Sequence, residues 1–155
     1  MAEKYNASNI AIEQMLNFIK SGEIAIPEIQ RPFVWKPKQV RDLIDSLYTG
    51  YPTGYLIISQ SPNMKLKDGT LSEGKKIMID GQQRITALMT AIIGMEVTNS
   101  DFEKKRIKIS FNPLAIDEDE VFKVQDNAIL KDKKWITDIA DVFKSDFKYK
   151  PGHNQ

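Results

Sequence analysis

Hydrophobic residues recur every three to four positions in three segments of the chain, which predicts three amphipathic α-helices. A glycine follows each segment, at Gly22, Gly50 and Gly94, and glycine is typical of the position just past a helix end. Ser8 is the expected N-cap of the first helix, and Pro37 suits the first turn of the second. The three apolar sets are Ile12, Met15, Leu16 and Ile19; Val40, Leu43, Ile44 and Leu47; and Ile85, Leu88, Met89 and Ile92.

Short apolar runs between and after these helices predict β-strands. We expect the strands at 55–59 and 75–79 to be buried. Trp135 to Phe143 predicts a last helix, with Thr137 as its cap. Mixed in this order, the elements predict a small α+β or α/β domain. The predicted strands are Ile24 to Ile26, Tyr55 to Ser59, Lys75 to Ile79, Arg106 to Phe111 and Val121 to Val124.

The length of the chain, 155 residues, is typical of one domain. We expect this domain to span residues 1–148, and residues 149–155 to form a polar tail. The end of the chain contains few apolar residues that could anchor it to a core. This composition favours the interpretation that the domain is the front part of a longer protein.

Charge and composition exclude several classes of function. The chain carries 22 basic and 21 acidic residues, a net charge of +1, so no overall field draws it to DNA or to a membrane. It contains no cysteine and one histidine, His153, which excludes thiol chemistry and argues against a histidine metal cluster within this chain. Because no signal peptide or apolar run of about 20 residues is evident, we expect a cytoplasmic location.

The most informative segment is Asp80-Gly81-Gln82-Gln83-Arg84, which joins a predicted strand to a predicted helix. Gly81 permits a tight turn and a close approach of the backbone to a ligand. The first N–H groups of a helix have no partner within it, and the helix dipole makes that end positive, so an anion is favoured there. Arg84, in the first helical turn, can add a bidentate grip on phosphate.

A structural interpretation of the same five residues stays open. Asp80 can cap the helix, and Arg84 can be a solvated surface residue. Two features favour a binding site instead. An arginine in the first turn is electrostatically unfavourable without an anion, and Gln82 and Gln83 have no role in a core.

A second polar patch lies in a loop bracketed by prolines. Gln30 and Arg31 follow Ile29 and precede Phe33, so an arginine is placed among apolar residues, where it requires a partner. That partner can be a ligand or one of the acidic side chains. Trp35, in the same loop, is better explained by packing.

Taken together, these segments resemble a known family. The residues 26–35 (IPEIQRPFVW) and 79–84 (IDGQQR), with Gly50-Tyr51-Pro52 between them and Phe111-Asn112-Pro113 and Trp135-Ile136 after them, are similar to the N-terminal domain of GmrSD-type restriction endonucleases. The resemblance covers about residues 8–145. It implies an α+β fold of the ParB and sulfiredoxin-like type, with a small mixed sheet flanked by helices.

The resemblance also implies a function. In related folds a glycine and an arginine, at the places of Gly81 and Arg84, hold nucleotide phosphates at a helix start. In the GmrSD-like family the IDGQQR segment is tied to binding and hydrolysis of nucleoside triphosphates, which regulates cleavage of modified phage DNA. We therefore expect a nucleoside triphosphate with Mg²⁺ as the ligand, and DNA and a nuclease domain or subunit as partners of the full-length protein.

Specific roles follow for the site residues. The predicted nucleotide-binding residues are Gln30, Arg31, Asp80, Gly81, Gln82, Gln83 and Arg84. Asp80, Gln83 and Arg84 are the predicted catalytic residues, and Asp80 is the candidate ligand for the Mg²⁺ ion that a triphosphate would bring.

Departures from the related families limit what is transferred. The sulfiredoxin cysteine and the ParB glutamate would both fall at Gln82, so neither chemistry is copied across, and the nuclease motif of the family is absent. Two alternatives stay open: a DNA-binding module gated by a nucleotide without hydrolysis, and a scaffold that docks a nuclease. The densest basic cluster, Lys104, Lys105, Arg106 and Lys108, is the candidate DNA contact, although a solvated strand face explains it as well.

Overall fold

The structure is a computed structural model that describes residues 5–26, 32–60 and 76–149. The chain forms two compact units. One comprises Met1–Gln30 and Ile57–Ile79, and the other comprises Arg31–Leu56 and Asp80–Gln155. Each unit is described below by itself.

The first unit contains one helix and a small sheet. The helix α1 (Ile12–Lys20) is followed by the strand β1 (Ile24–Ala25). The strands β2 (Ile57–Gln60) and β3 (Lys76–Asp80) complete a sheet of order β1–β3–β2, in which β1 and β3 run parallel. Ile77 and Met78 of β3 are fully buried. The predicted helix and the strands predicted at 24–26 and 75–79 are therefore confirmed here, and Asp80 carries the chain into the second unit.

Three details of this region differ from the sequence-based expectation. Ser8 is not the N-cap of α1, because the helix begins at Ile12 and Ala11, in an extended conformation, holds the cap position. The strand predicted from Tyr55 is shorter and not buried, because β2 lies at the sheet edge and Ile57 is 52% exposed. Ile79, at the end of β3, is also largely exposed.

Two helices form the centre of the second unit. The helix α2 (Pro37–Thr49) begins with its proline in the first turn, as predicted, and ends at Gly50 with φ of 79°. The helix α3 (Gln82–Leu88) continues directly into a π-helical turn, Met89–Ile93, which ends at Gly94 with φ of 82°. Both glycines adopt the left-handed conformation that their positions predict. The apolar pattern does not predict this widened helical turn.

Two antiparallel hairpins complete the second unit. The first joins β4 (Val97–Thr98) and β5 (Lys104–Lys105), and the second joins β6 (Ile109–Phe111) and β7 (Phe122–Val124). The helix α2 packs against both β7 and α3. Its last turn places Tyr48 edge-on against the stacked rings of Phe111 and Phe122. The first hairpin was not predicted.

The remaining helical segments are short 3-10 helices, at Glu118–Glu120, Ile129–Lys131 and Ile139–Phe143. The predicted helix from Trp135 to Phe143 is therefore wrong in its first half. Thr137 is not its cap, because the Asp138 carboxylate accepts a hydrogen bond from the N–H of Ala140 and holds that position.

The strand predicted from Arg106 begins only at Ile109. The segment between β5 and β6 is diverted by buried polar contacts, since the N–H of Ile107 bonds the hydroxyl of Thr90. Ile107 and Ile109 are both buried, as the alternating pattern predicted.

Helices, a small mixed sheet and separate antiparallel hairpins together define an α+β fold, as expected. The buried core of the second unit combines the apolar faces of its two helices with side chains from the hairpins. No helix among the described residues has both the length and the apolar character needed to cross a membrane.

Candidate anion-binding site

The start of α3 is not capped by a side chain. Gly81 holds the N-cap position with φ of 92° and ψ of 11°, and no side-chain hydrogen bond is made there. The alternative that Asp80 caps this helix is therefore wrong. Ile85 is the residue whose N–H bonds back to the Gly81 carbonyl, at 3.0 Å. The first N–H groups of a helix have no acceptor within it, and the helix dipole makes that end positive.

The guanidinium of Arg84 lies beside this helix start. Its Nη1 donates to the carbonyl of Thr53 at 2.5 Å, and its Nη2 donates to the carbonyl of Tyr55 at 2.8 Å. The side chain is 20% exposed. Among the described residues, its acidic partner is Asp80, whose Oδ2 lies 4.0 Å from Nη2 and whose side chain is 67% exposed. The charge of Arg84 is therefore met mainly by neutral carbonyl dipoles.

Two glycines make this close packing possible. A Cβ on Gly54 would lie 2.7 Å from Nη1 of Arg84. A Cβ on Gly81 would lie 2.3 Å from a methyl group of Leu56 and 3.3 Å from Nη2 of Arg84. Both glycines also have φ near +90°, which L-residues rarely adopt. The loop from Thr53 to Leu56 thus packs directly on the beginning of α3.

Gln83 fixes a second segment to the same helix start. Its Oε1 accepts a hydrogen bond from the N–H of Val34 at 3.1 Å, and its Nε2 donates to the carbonyl of Pro32 at 3.2 Å. Phe33, between them, bonds through its N–H to the carbonyl of Thr98 at 3.1 Å. The side-chain amide therefore pairs with the main chain of residues 32–34 through one donated and one accepted hydrogen bond. This contact gives Gln83 a positioning role that the sequence did not predict.

The structure brings most of the predicted site together. Asp80 to Arg84 form one continuous turn at the start of α3, whereas Gln30 and Arg31 lie outside the described residues. Sequence reasoning missed the carbonyls of Thr53 and Tyr55, because main-chain groups leave no mark in a residue pattern. The glycines and the proline in residues 50–54 were the available signal in the sequence.

The described side chains show what kind of Mg²⁺ site this domain could form. Within the described part of the chain, no group of three or more acidic or histidine side chains is arranged to hold a metal ion. Asp80 supplies one exposed carboxylate at the site. One carboxylate suits an Mg²⁺ ion that arrives with phosphate and water ligands, and does not suit a resident ion held by protein alone.

The predicted basic cluster is smaller than its sequence indicated. Arg106 is turned inward, where Nη1 and Nη2 contact the two oxygens of Asp138 at 2.6 and 2.8 Å. Lys104, Lys105 and Lys108 are exposed. The arginine therefore stabilises the fold and is not part of the exposed basic surface.

The described residues form an α+β domain in which the uncapped start of α3 lies between two loops, one held by Arg84 and the other by Gln83. Comparison with known proteins identifies the family. Residues 12–153 match the model of the GmrSD restriction endonuclease N-terminal domain, so the chain belongs to this family.

One curated relative comes from Methanocaldococcus jannaschii and is described as an uncharacterized protein. It is 29% identical over an aligned segment that covers 52% of this chain and 17% of the relative. The chain therefore spans only a small part of the length of that relative.

Proposed function

We propose that this domain binds the phosphates of a nucleoside triphosphate at the start of α3, and that this binding regulates DNA cleavage by a GmrSD-type restriction protein. The observation that carries the proposal is the charge of Arg84. Its guanidinium lies at an uncapped helix start, and its partners there are two neutral carbonyls and one exposed carboxylate 4.0 Å away.

Two positive features lie in one place. The helix start contributes about half an elementary charge, and Arg84 contributes a full one. A guanidinium has five N–H groups, and the bonds to Thr53 and Tyr55 employ one on each terminal nitrogen. The remaining groups can donate to phosphate oxygens without loss of the contacts that hold the loop.

Asp80 is the group beside this site that can take part in hydrolysis. Its exposed carboxylate precedes the helix start and is too far from Arg84 for a strong ion pair. In the proposal it binds an Mg²⁺ ion that accompanies the triphosphate, or orients the attacking water.

Gln83 acts differently, because its amide holds residues 32–34. In the sequence these directly follow Gln30 and Arg31, the predicted second contact to the phosphates.

Thermal melting with a panel of nucleoside triphosphates and Mg²⁺ tests the proposal. A ligand present at one hundred times its dissociation constant adds about 2.7 kcal/mol. At roughly 2–4 °C per kcal/mol for a domain of this size, the midpoint should rise by several degrees. Direct titration calorimetry on the same samples should give a saturable isotherm, and phosphate release then separates turnover from binding.

Two variants test the site assignment. Arg84→Lys keeps a positive charge but loses the fork that holds two carbonyls, so it should weaken triphosphate binding at least tenfold while the domain stays folded by circular dichroism. The control, Lys104→Ala, removes an exposed charge elsewhere in the same unit and should leave binding unchanged. Equal losses in both variants would show a diffuse charge effect and contradict the assignment.

Asp80→Asn separates the two roles of the carboxylate. Removal of its charge should tighten binding of the metal-free triphosphate, because a repulsion is lost. If Asp80 holds the metal, the same variant should weaken binding of the Mg²⁺ complex. A protein that shows no response to any triphosphate, and binds DNA with strong salt dependence, would support the DNA-binding alternative instead.

A further inference from the structure

We propose that Tyr55 binds the nucleobase by stacking, so that the site recognises the flat face of the base and accepts different bases. This inference rests on the proposed function, because it places the base next to phosphates held by Arg84. Tyr55 combines two properties. Its carbonyl accepts a hydrogen bond from Nη2 of Arg84 at 2.8 Å, while its side chain is 85% exposed.

The main chain around Tyr55 is fixed to the phosphate site at successive residues. The Thr53 carbonyl bonds Nη1 of Arg84. Gly54 packs on the same guanidinium so closely that a Cβ would not fit. Leu56 contacts the position where Gly81 lacks a side chain. The ring of Tyr55 is therefore attached to a backbone whose position relative to Arg84 is set before any ligand arrives, and such preorganisation reduces the entropy lost on binding.

A nucleotide fits this combination of groups better than a simple anion does. The positive helix start and the guanidinium are suited to phosphate oxygens, and an aromatic ring is suited to stacking with the base. A tyrosine side chain extends far enough from its main chain for one residue to lie near both. Stacking on an aromatic ring tolerates every base, because each base has a π-face. We therefore expect purine and pyrimidine triphosphates to bind with similar affinity, and purines somewhat more tightly.

Tyr51 provides a matched control in the same loop. It is the same residue type and its side chain is 67% exposed. Its main chain is tied elsewhere, because its N–H donates to the Ser46 carbonyl of α2 at 2.9 Å. A general effect of removing an exposed tyrosine from this loop would appear in both variants.

The experiment compares ATP with inorganic tripolyphosphate by titration calorimetry. The wild-type protein should bind ATP roughly fivefold or more tightly than tripolyphosphate, the range expected for one stacked base. Tyr55→Ala should remove that difference and leave tripolyphosphate binding unchanged. Tyr55→Phe should retain it, and Tyr51→Ala should behave as the wild type. Ring protons of Tyr55 should also shift upfield in the NMR spectrum when ATP is added, and not with tripolyphosphate.

The outcomes distinguish this inference from the proposed function. If tripolyphosphate binds and ATP binds no more tightly, the stacking role is wrong although the phosphate site stands. If Tyr55→Ala weakens both ligands equally, the residue supports the loop and does not contact the base. If neither ligand binds the wild-type protein, the phosphate site itself is wrong, and the stacking role fails with it.

Discussion

Two arginines of the second unit, Arg84 and Arg106, lie in similar surroundings but differ in their distance from a carboxylate. Arg84 lies beside Gly54 and Gly81, and Arg106 lies beside Gly94, with its guanidinium 3.3 Å from where a Cβ would stand. Both side chains are about one-fifth exposed. The difference is in the carboxylate: Asp138 contacts Arg106 at 2.6 and 2.8 Å, whereas Asp80 is 4.0 Å from Arg84.

The comparison shows how one residue type serves stability in one place and binding in another. The Arg106–Asp138 pair is bidentate and only 10% of the Asp138 side chain is exposed, so its charges neutralise each other within the protein. Arg84 is positioned by neutral carbonyls that leave its net charge in place. A positioned charge without a close counter-ion is what an anion site requires.

The largest expected effect comes from breaking the neutralised pair. Asp138→Ala leaves Arg106 without a counter-ion and removes the cap of the last 3-10 helix. We expect a loss of roughly 3 kcal/mol of unfolding free energy, the lower end for a buried pair, measured by urea denaturation. Asp138→Asn keeps a capping oxygen and should recover part of the loss.

The matched control for this prediction is Asp141→Ala. It breaks an ion pair with Lys144 in which both side chains are well exposed. Its denaturation midpoint should stay close to that of the wild type, because water replaces the lost contact. A midpoint shift as large as that of Asp138→Ala would contradict the distinction between buried and exposed pairs.

Glycine substitutions beside each arginine give an intermediate effect. Gly54→Ala and Gly94→Ala both place a side chain where φ exceeds +80°, which costs about 1–2 kcal/mol. Gly54→Ala also displaces Nη1 of Arg84, so it should destabilise the domain more and weaken triphosphate binding. Gly94→Ala should leave binding intact. Chemical denaturation and calorimetry check the two effects, and a loss of binding in Gly94→Ala would break the comparison.

The smallest effect concerns a half-exposed pair, Glu120 and Lys123. The hydrogen bond and the charge of Lys123 lower the pKa of Glu120 below its ordinary value of 4.5, and Lys134 contributes in the same direction. Because the folded-state pKa is depressed, the stabilisation is present above 4.5 and is lost as the pH falls through the lowered value. Carboxyl NMR titration should show this pKa, and Lys123→Ala should raise it. An unchanged pKa in Lys123→Ala would assign the shift to another cause.

Periodicity in the sequence was enough for the elements that bury one face. The apolar spacing within residues 37–49 and 82–93 fixed both helices of the second unit, and Gly50 and Gly94 fixed their ends. The sequence pattern did not predict the helix caps correctly. Ser8 and Thr137 are good caps by residue type, yet Ala11 and Asp138 hold those positions, because the tertiary path of the chain decides where each helix begins.

For the site, the residues 80–84 were found from the sequence because a strand, a glycine and a helix start occur in series. Their partners were not found. The carbonyls of Thr53 and Tyr55 lie about 30 positions earlier in the chain, and the segment held by Gln83 lies about 50 positions earlier. Contacts over such separations depend on how the helices pack, and a single sequence does not record them.

The sequence by itself determined the α+β composition, the helix start with its glycine and arginine, and the resemblance to the GmrSD N-terminal family that the comparison confirmed. The tertiary structure alone decided which arginine is neutralised. Arg84 and Arg106 look alike in the sequence, and the difference between them arises because packing brings Asp138 to one guanidinium and main-chain carbonyls to the other.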